Sequence, residues 1–290
     1  MREFLAEQGY LTFALNNGTV DYLQLAYVQA LSIKCTQRIN NYAVIVDQPT
    51  SLLVTDRHRR VFDHVIVLDQ VDSGDQDWKL SDEWQAFDLT PFRETVKLEA
   101  DILFSRSVDH WWTGMRIQEV MFTTQIRDYL GQVSQARNYR RMFDINQLPD
   151  VYNGMFYFRH SRRAQDLFSA AREVYLHWPL FRNQLLKNCR SEQATTDEVF
   201  AVAARLIGSE HVTNPGLSYP SFVHMKPAIN RLQEAEPWTA QLPFHVDSHL
   251  NIYINHCRQL YPVHYQAKDL ITDEIVKTYE QRLQELATGF

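Results

Sequence analysis

The chain has 290 residues, 45% of them apolar and 22% charged, with a formal net charge of −6. That balance supports a sizeable core and excludes a disordered or fibrous chain. The acidic surplus excludes a protein that coats nucleic acid through bulk charge alone. The cysteines, Cys35, Cys189 and Cys257, are far apart and form no Cys-x-x-Cys pair, which argues against a disulfide framework or a cysteine zinc site and fits a reducing compartment. With no signal-type apolar core and no apolar run of membrane-spanning length, the expectation is a soluble cytoplasmic protein without a membrane partner.

In chain order, "YLTFAL" (10–15) reads as a strand and 21–37 as a helix, with Leu23, Ala26, Tyr27, Ala30 and Leu31 at helical spacing. "YAVIVD" (42–47) and "HVIVLD" (64–69) are continuous apolar runs of the buried-strand kind, separated by a short polar helix near 51–60. Strand, helix, strand, helix, strand points to an α/β fold with a parallel sheet. The polar stretch 70–92 reads as a loop, and "ETVKLEADILF" (94–104) as one further strand. Another strand is expected at 151–160, with helices at 162–177, 179–188 and 195–207. "SYPSFVHMKP" (218–227) reads as a strand leading into a Pro-started helix. "LNIYI" and "VHYQ" suggest a late strand pair, and 272–287 a closing helix. With no repeat and no linker, the chain reads as one domain, residues 1–230, with a C-terminal extension, 231–290, packed on it.

The stretch "KLEADILF" (97–104) carries two acids, Glu99 and Asp101, where apolar residues are expected. Alternation along a strand puts both on one face. Two carboxylates so placed repel each other unless a cation sits between them. At the carboxyl end of a strand in an α/β sheet, such a pair suits a hard divalent ion that also takes phosphate oxygens. Neither glycine-rich phosphate cradle, Gly-x-Gly-x-x-Gly or Gly-x-x-x-x-Gly-Lys-Ser/Thr, occurs. A diphosphate site in this chain would therefore need a metal.

"TPFRETVKLEADILFSRSVDHWW", "TFALNN", "YNGMFYFRHS", "TTDEVF" and "FVHMKP" occur in an order that resembles the GT-A glycosyltransferases, nearest in pattern to the glycogenin-like retaining enzymes, with the tone of those found in tailed phages. The resemblance implies a GT-A type fold with a central, mostly parallel sheet and a C-terminal extension. It also implies transfer of a sugar from a nucleotide diphosphate sugar, of the uridine kind, with Mn²⁺ or Mg²⁺. Asp101 and Glu99 would hold the metal. The third ligand would be His224, which ends a predicted strand before a Pro-started helix, or its rival His264, with Lys268 close behind. Leu15, Asn16, Asn17, Asp47, Arg93, Asn153, Gly154 and Lys226 would bind the donor. Glu198 would be a nucleophile or a stabiliser of same-face attack in a retaining enzyme, and Asp197 a base in an inverting one. Three positions depart from the family pattern: Glu99 replaces an aspartate, Glu198 a glutamine, and the His-to-Lys spacing in "HMKP" is short.

The region 127–163 concentrates arginines, among them Arg137, Arg140 and Arg141, interleaved with Tyr139 and Phe143. Arginine forks suit phosphate. Together with the phage resemblance, this raises double-stranded DNA carrying 5-hydroxymethylcytosine as the acceptor, the base being swung out of the stack. A protein or glycan hydroxyl is the rival acceptor. A nucleotidyltransferase and a non-catalytic nucleotide-sugar-binding module are the other classes left open.

Overall fold

The computed structural model describes residues 3–69, 79–208 and 211–288. Twelve strands are found among them: β1 (Ala6–Phe13), β2 (Tyr42–Val46), β3 (His64–Val67), β4 (Phe92–Leu98), β5 (Ile102–Leu103), β6 (Val120–Thr123), β7 (Tyr152–Arg159), β8 (Val223–His224), β9 (Phe244–Val246), β10 (Ile252–Ile254), β11 (Cys257–Arg258) and β12 (Val263–His264). The central sheet has the order β3-β2-β1-β4-β7-β6. Strands β1 to β4 run parallel, and β7 is antiparallel to both neighbours. The α/β expectation with a mostly parallel sheet holds.

Each face of this sheet is covered, so β2 is buried at every residue and its sequence is continuously apolar. On one face lies the helix Tyr22–Thr36, with the helix Asp273–Thr288 packed on it. On the other lie the helices Arg162–Leu176 and Thr196–Ile207. Both of these begin at hydroxyl caps. Ser161 accepts from Ala164 N, and Thr195 closes a capping box with Glu198.

The helix Tyr22–Thr36 does more than supply apolar surface. Its buried Gln29 and Ser32, with Gln37 just past its end, form a polar row along the irregular segment that follows β4. Gln29 Nε2 donates to the carbonyls of Glu99 (2.6 Å) and Ile102 (3.1 Å). Ser32 Oγ accepts from Phe104 N (3.2 Å). Gln37 donates to Arg106 O (2.9 Å) and accepts from Val108 N (2.8 Å). Buried backbone groups outside a regular ladder need partners of this kind.

Several expectations are corrected here. The run 94–104 is not one strand. β4 ends at Leu98, Glu99 to Asp101 form a turn, and β5 begins a second sheet. The predicted helix near 51–60 is two single turns, Gln48–Ser51 and Asp56–Arg59. The helix expected at 179–188 is confined to short turns between Trp178 and Leu185. Part of the stretch read as loop, 79–89, is helical, and 70–78 lie outside the described residues. The late strands do not pair with each other. β10 joins β9 and β11, whereas β12 lies between β5 and β8, and the sheet β5-β12-β8 brings the C-terminal part of the chain to the end of β4.

Gly9 shows how closely β1 is packed. A Cβ there would stand 2.5 Å from the Phe92 ring. Gly9→Ala should therefore destabilise the protein by about 1–3 kcal/mol, against the small gain an unhindered strand site would give. Urea unfolding checks this, and an unchanged or raised midpoint would contradict the packing described.

Candidate functional site

The turn Glu99–Asp101 lies just past the carboxyl end of β4. It is held from three sides: Glu99 N donates to Gly154 O (2.9 Å), Tyr265 N to Asp101 O (3.1 Å), and Gln29 to the carbonyls flanking Ala100 and Asp101. The two carboxylates converge through this turn rather than through strand alternation. His264 on β12 meets both: its Nε2 is 2.9 Å from Glu99 Oε2 and 3.1 Å from Asp101 Oδ1. Lys268 Nζ sits 2.6 Å from Asp101 Oδ2. Asp101 is 1% exposed and His264 3%.

The electrostatics follow from that burial. Burial alone would lower the imidazole of His264, but the facing carboxylates of Asp101 and Glu99 override it and hold His264 up to about 9. Burial alone would raise Glu99, yet His264 first, then Lys97, pull it down to about 2. Asp101 is likewise held well below the carboxylate range, against burial, by His264 and Lys268. Ligand atoms of Glu99, Asp101 and His264 lie within 4.8 Å of one another, so this group can hold a metal ion. The two carboxylates are donors that suit Mn²⁺ or Mg²⁺, and the imidazole favours Mn²⁺ of the two.

His224 occupies the next strand. It pairs in register with His264, and the rings stack at 4.7 Å, about one inter-strand spacing. The structure thus brings His264, and not His224, onto the carboxylates. Burial first, then the charges of His264, Lys226 and Arg140, push His224 well below its ordinary value, so it is neutral. Its Nδ1 is buried without a hydrogen-bond partner.

Beside the cluster opens a cavity of about 150 Å³, bounded by Glu99, Tyr152, Asp197, Phe222, His224 and Lys226. Gly154 lies on its wall. A Cβ there would approach Phe222 to 3.0 Å and His264 Nδ1 to 3.2 Å, so this position has to be small. Asp197 Oδ1 accepts from Asn153 N (2.7 Å), and Oδ2 from Arg140 (2.7 Å). Glu198 does not line the cavity. Its carboxylate accepts from Thr195 N (2.9 Å) and Ser191 Oγ (2.8 Å), completing the capping box.

The other expected donor residues are scattered. Leu15, Asn16 and Asn17 follow β1, where Leu15 is buried, Asn16 accepts from Leu23 N (2.8 Å), and Asn17 closes a turn onto Thr19 and Val20. Asp47 follows β2 and accepts from Thr50 N (2.9 Å) as a helix cap. These positions do lie at the carboxyl ends of parallel strands. Arg93 does not. It is at the start of β4, six residues from Glu99 and so roughly 20 Å away along an extended strand, where it pairs with Glu7 at 3.9 Å. Its assignment to donor phosphate is corrected on that ground.

The arginine segment is also not a free phosphate-binding face. Arg137 pairs with Asp144 and Asp150. Arg140 is 2% exposed, pairs with Asp197, and lies 3.9 Å over the Tyr152 ring and 4.4 Å over Phe143. Of the three, Arg137 and Arg141 are exposed and Arg140 is buried. An arginine pattern cannot distinguish an open face from a guanidinium packed among rings.

Three residues escaped sequence reasoning. Gln29 lies within the helix expected at 21–37 and carried no signal of its own. Lys97 is 0% exposed and pairs with Glu83 at 2.5 Å, and Glu83 also accepts from Asn153 Nδ2 (2.6 Å). A lysine between Val96 and Leu98 in a buried strand was the available signal, since a buried charge demands a partner.

No protein-family profile and no curated protein sequence matches the chain. Solved structures do. Mouse xyloside xylosyltransferase 1 superposes with a TM-score of 0.54 at 9% identity, over 92% of this chain and 100% of that one. The glycosyltransferase GlyE of Streptococcus pneumoniae gives 0.52 at 9% identity, over 98% of this chain and 64% of that one. With the mostly parallel central sheet, these similarities establish a GT-A type fold.

The shifted groups fix the pH dependence of the metal-free protein. His264 lies above its ordinary 6.5, so its contribution is complete below 6.5 and lost as pH rises through about 9. Glu99 lies below its ordinary 4.5, so its contribution is lost as pH falls toward about 2. With chelator present, unfolding free energy should decline between about pH 6.5 and pH 9, and His264→Gln should flatten that decline. An equal decline in the variant would contradict the cluster's electrostatics.

Proposed function

We propose that this protein is a metal-dependent glycosyltransferase that uses a nucleotide diphosphate sugar, with uridine as the nucleoside. The carrying observation is the convergence of Glu99, Asp101 and His264 at the carboxyl end of β4, beside a sugar-sized cavity, on a GT-A type fold. Glu99, Asp101 and His264 would hold Mn²⁺ or Mg²⁺. When bound, the ion supplies charge neutralisation at the diphosphate. The superposing proteins are a xylosyltransferase and a glycosyltransferase, which supports the reaction class.

The chain's own residues divide the remaining work. Asn16, Asn17 and Asp47 stand where base and ribose would lie. Lys226 borders the cavity and makes no ion pair among the described residues, its ammonium lying 5.5 Å over the Tyr139 ring, so it can stabilise the departing diphosphate. Asp197 is oriented by Arg140 and Asn153 N and keeps lone pairs for a donor-sugar hydroxyl. The glycosidic C–O bond to diphosphate breaks as the acceptor oxygen bonds to the anomeric carbon, and the acceptor proton leaves with a diphosphate oxygen. The cavity's carboxylates are Glu99 and Asp197, and Glu198 is committed to its capping box. Retention by same-face attack therefore fits better than a covalent intermediate on Glu198.

For the acceptor, a glycan or protein hydroxyl is favoured over 5-hydroxymethylcytosine in DNA, because Arg137 and Arg140 are engaged by carboxylates. Labelled uridine diphosphate sugars offered with glycan, protein and hydroxymethylated DNA acceptors separate these readings. Release of uridine diphosphate should require Mn²⁺. Asp101→Ala and His264→Ala should each reduce Mn²⁺ affinity by about tenfold or more, and His224→Ala by less. Label on the modified DNA alone would reverse the acceptor assignment. Donor binding that is equal with Mn²⁺ and with chelator would overturn the metal-dependent reading altogether.

A further inference from the structure

The helix Tyr22–Thr36 contributes one side chain whose hydrogen-bonding capacity is spent entirely on connecting four elements. Gln29 is 0% exposed. Its Oε1 accepts from Thr12 Oγ1 of β1 (2.5 Å) and from Tyr42 OH of β2 (2.8 Å). Its Nε2 donates to the carbonyls of Glu99 (2.6 Å) and Ile102 (3.1 Å). The amide's orientation is forced by its partners. Two carbonyls can only accept, so nitrogen must face them, and the oxygen is left to receive the two hydroxyls.

The two carbonyls it grips are the ends of the acid turn. Between them stand Ala100 and Asp101, and the Glu99 side chain projects from the first. The turn has no sheet ladder of its own, since β4 stops at Leu98 and β5 starts at Ile102. Among the described residues its other backbone ties are Glu99 N to Gly154 O and Tyr265 N to Asp101 O, both to elements on the His264 side. Gln29 is the tie from the opposite side, to the core of the sheet. Resting on the metal-site reading above, we propose that Gln29 is the positioning residue of the metal site: it fixes the backbone of the turn so that the Glu99 and Asp101 carboxylates meet His264. Glu99 and Asp101 touch the ion on this reading, and Gln29 acts only through them.

A glutamine serves this role where other residues would not. A leucine or methionine of like volume would leave two buried carbonyls and two buried hydroxyls without this partner. A glutamate would keep an acceptor for the hydroxyls but set a second oxygen against the carbonyls. The row continues through Ser32 and Gln37, which hold Phe104, Arg106 and Val108, but those contacts lie beyond the acids.

The test compares Gln29→Met, Gln29→Glu and the milder Tyr42→Phe at a temperature where each is folded. Mn²⁺ affinity is read by calorimetry, and hydrogen exchange at the Glu99, Tyr265 and Tyr10 amides by NMR. Tyr10 N bonds Asn41 O between β1 and the residue before β2 and serves as the reference. In Gln29→Met and Gln29→Glu, exchange at Glu99 and Tyr265 should quicken by about tenfold or more relative to Tyr10, and Mn²⁺ affinity should fall by about tenfold. Tyr42→Phe removes one of the two hydroxyls and should move both in the same direction by less; it decides the matter if the Gln29 variants do not fold. Exchange that rises equally at all three amides, with Mn²⁺ affinity unchanged, would show a merely structural role and overturn the proposal. If the unaltered protein binds no Mn²⁺, the metal reading fails by itself, and the exchange comparison still decides whether Gln29 holds the turn.

Discussion

Two carboxylates at the end of a sheet, Asp101 buried and Glu99 half-buried, have to be met by positive charge, and this one requirement organises much of the chain. Asp101 and Glu99 find that charge in His264 and Lys268, more than 160 residues further on. Removing the partners of Asp101 would leave a buried charge uncompensated, a cost of several kcal/mol. Residues 263–268 must therefore return to the end of β4, and they do so through β12, the middle strand of β5-β12-β8, and the residues just after it. Trp238 reinforces the return by donating its indole N–H to Tyr265 O (2.6 Å). The C-terminal part of the chain is then part of the site rather than an appendage to it.

The same requirement sets the architecture beneath the cluster. Lys97, on the strand that delivers the acids, points into the interior and is neutralised by Glu83, which also holds Asn153. Asn153 N in turn orients Asp197 on the cavity wall. Burial pushes the carboxyl of Glu83 up against the opposing pull of Lys97. Polar groups thus connect the helix Tyr22–Thr36, the acid turn and the cavity through buried hydrogen bonds, in surroundings where each such bond is strong and each unmade one costly. Gly154 completes the fit by leaving room for the His264 and Phe222 rings.

What could be read from sequence was what is local and periodic. β2 was legible because burial on both faces makes its five residues continuously apolar. The helix Tyr22–Thr36 was legible from its apolar spacing, and the acid pair from its misfit with a buried run. Two-residue strands such as β5, β8 and β12 were not legible, since they exist only through pairing with distant segments. The choice between His224 and His264 was open for the same reason. Both end short apolar runs, both precede a lysine, and they lie side by side in register. What separates them is that β12 and not β8 borders β5, a fact of topology with no local signal. Arg140 misled in the opposite direction: a charged residue in a charged segment was read as surface, whereas three aromatic rings and Asp197 enclose it.

The most direct measurement is the anomalous X-ray signal of manganese in crystals grown with Mn²⁺ and uridine diphosphate. The metal-site reading places a single strong peak within coordination distance of His264 Nε2 and an Asp101 oxygen, with the diphosphate on its open side and Lys226 nearby. A peak held by His224 instead, or uridine diphosphate bound with no peak between Glu99, Asp101 and His264, would contradict it.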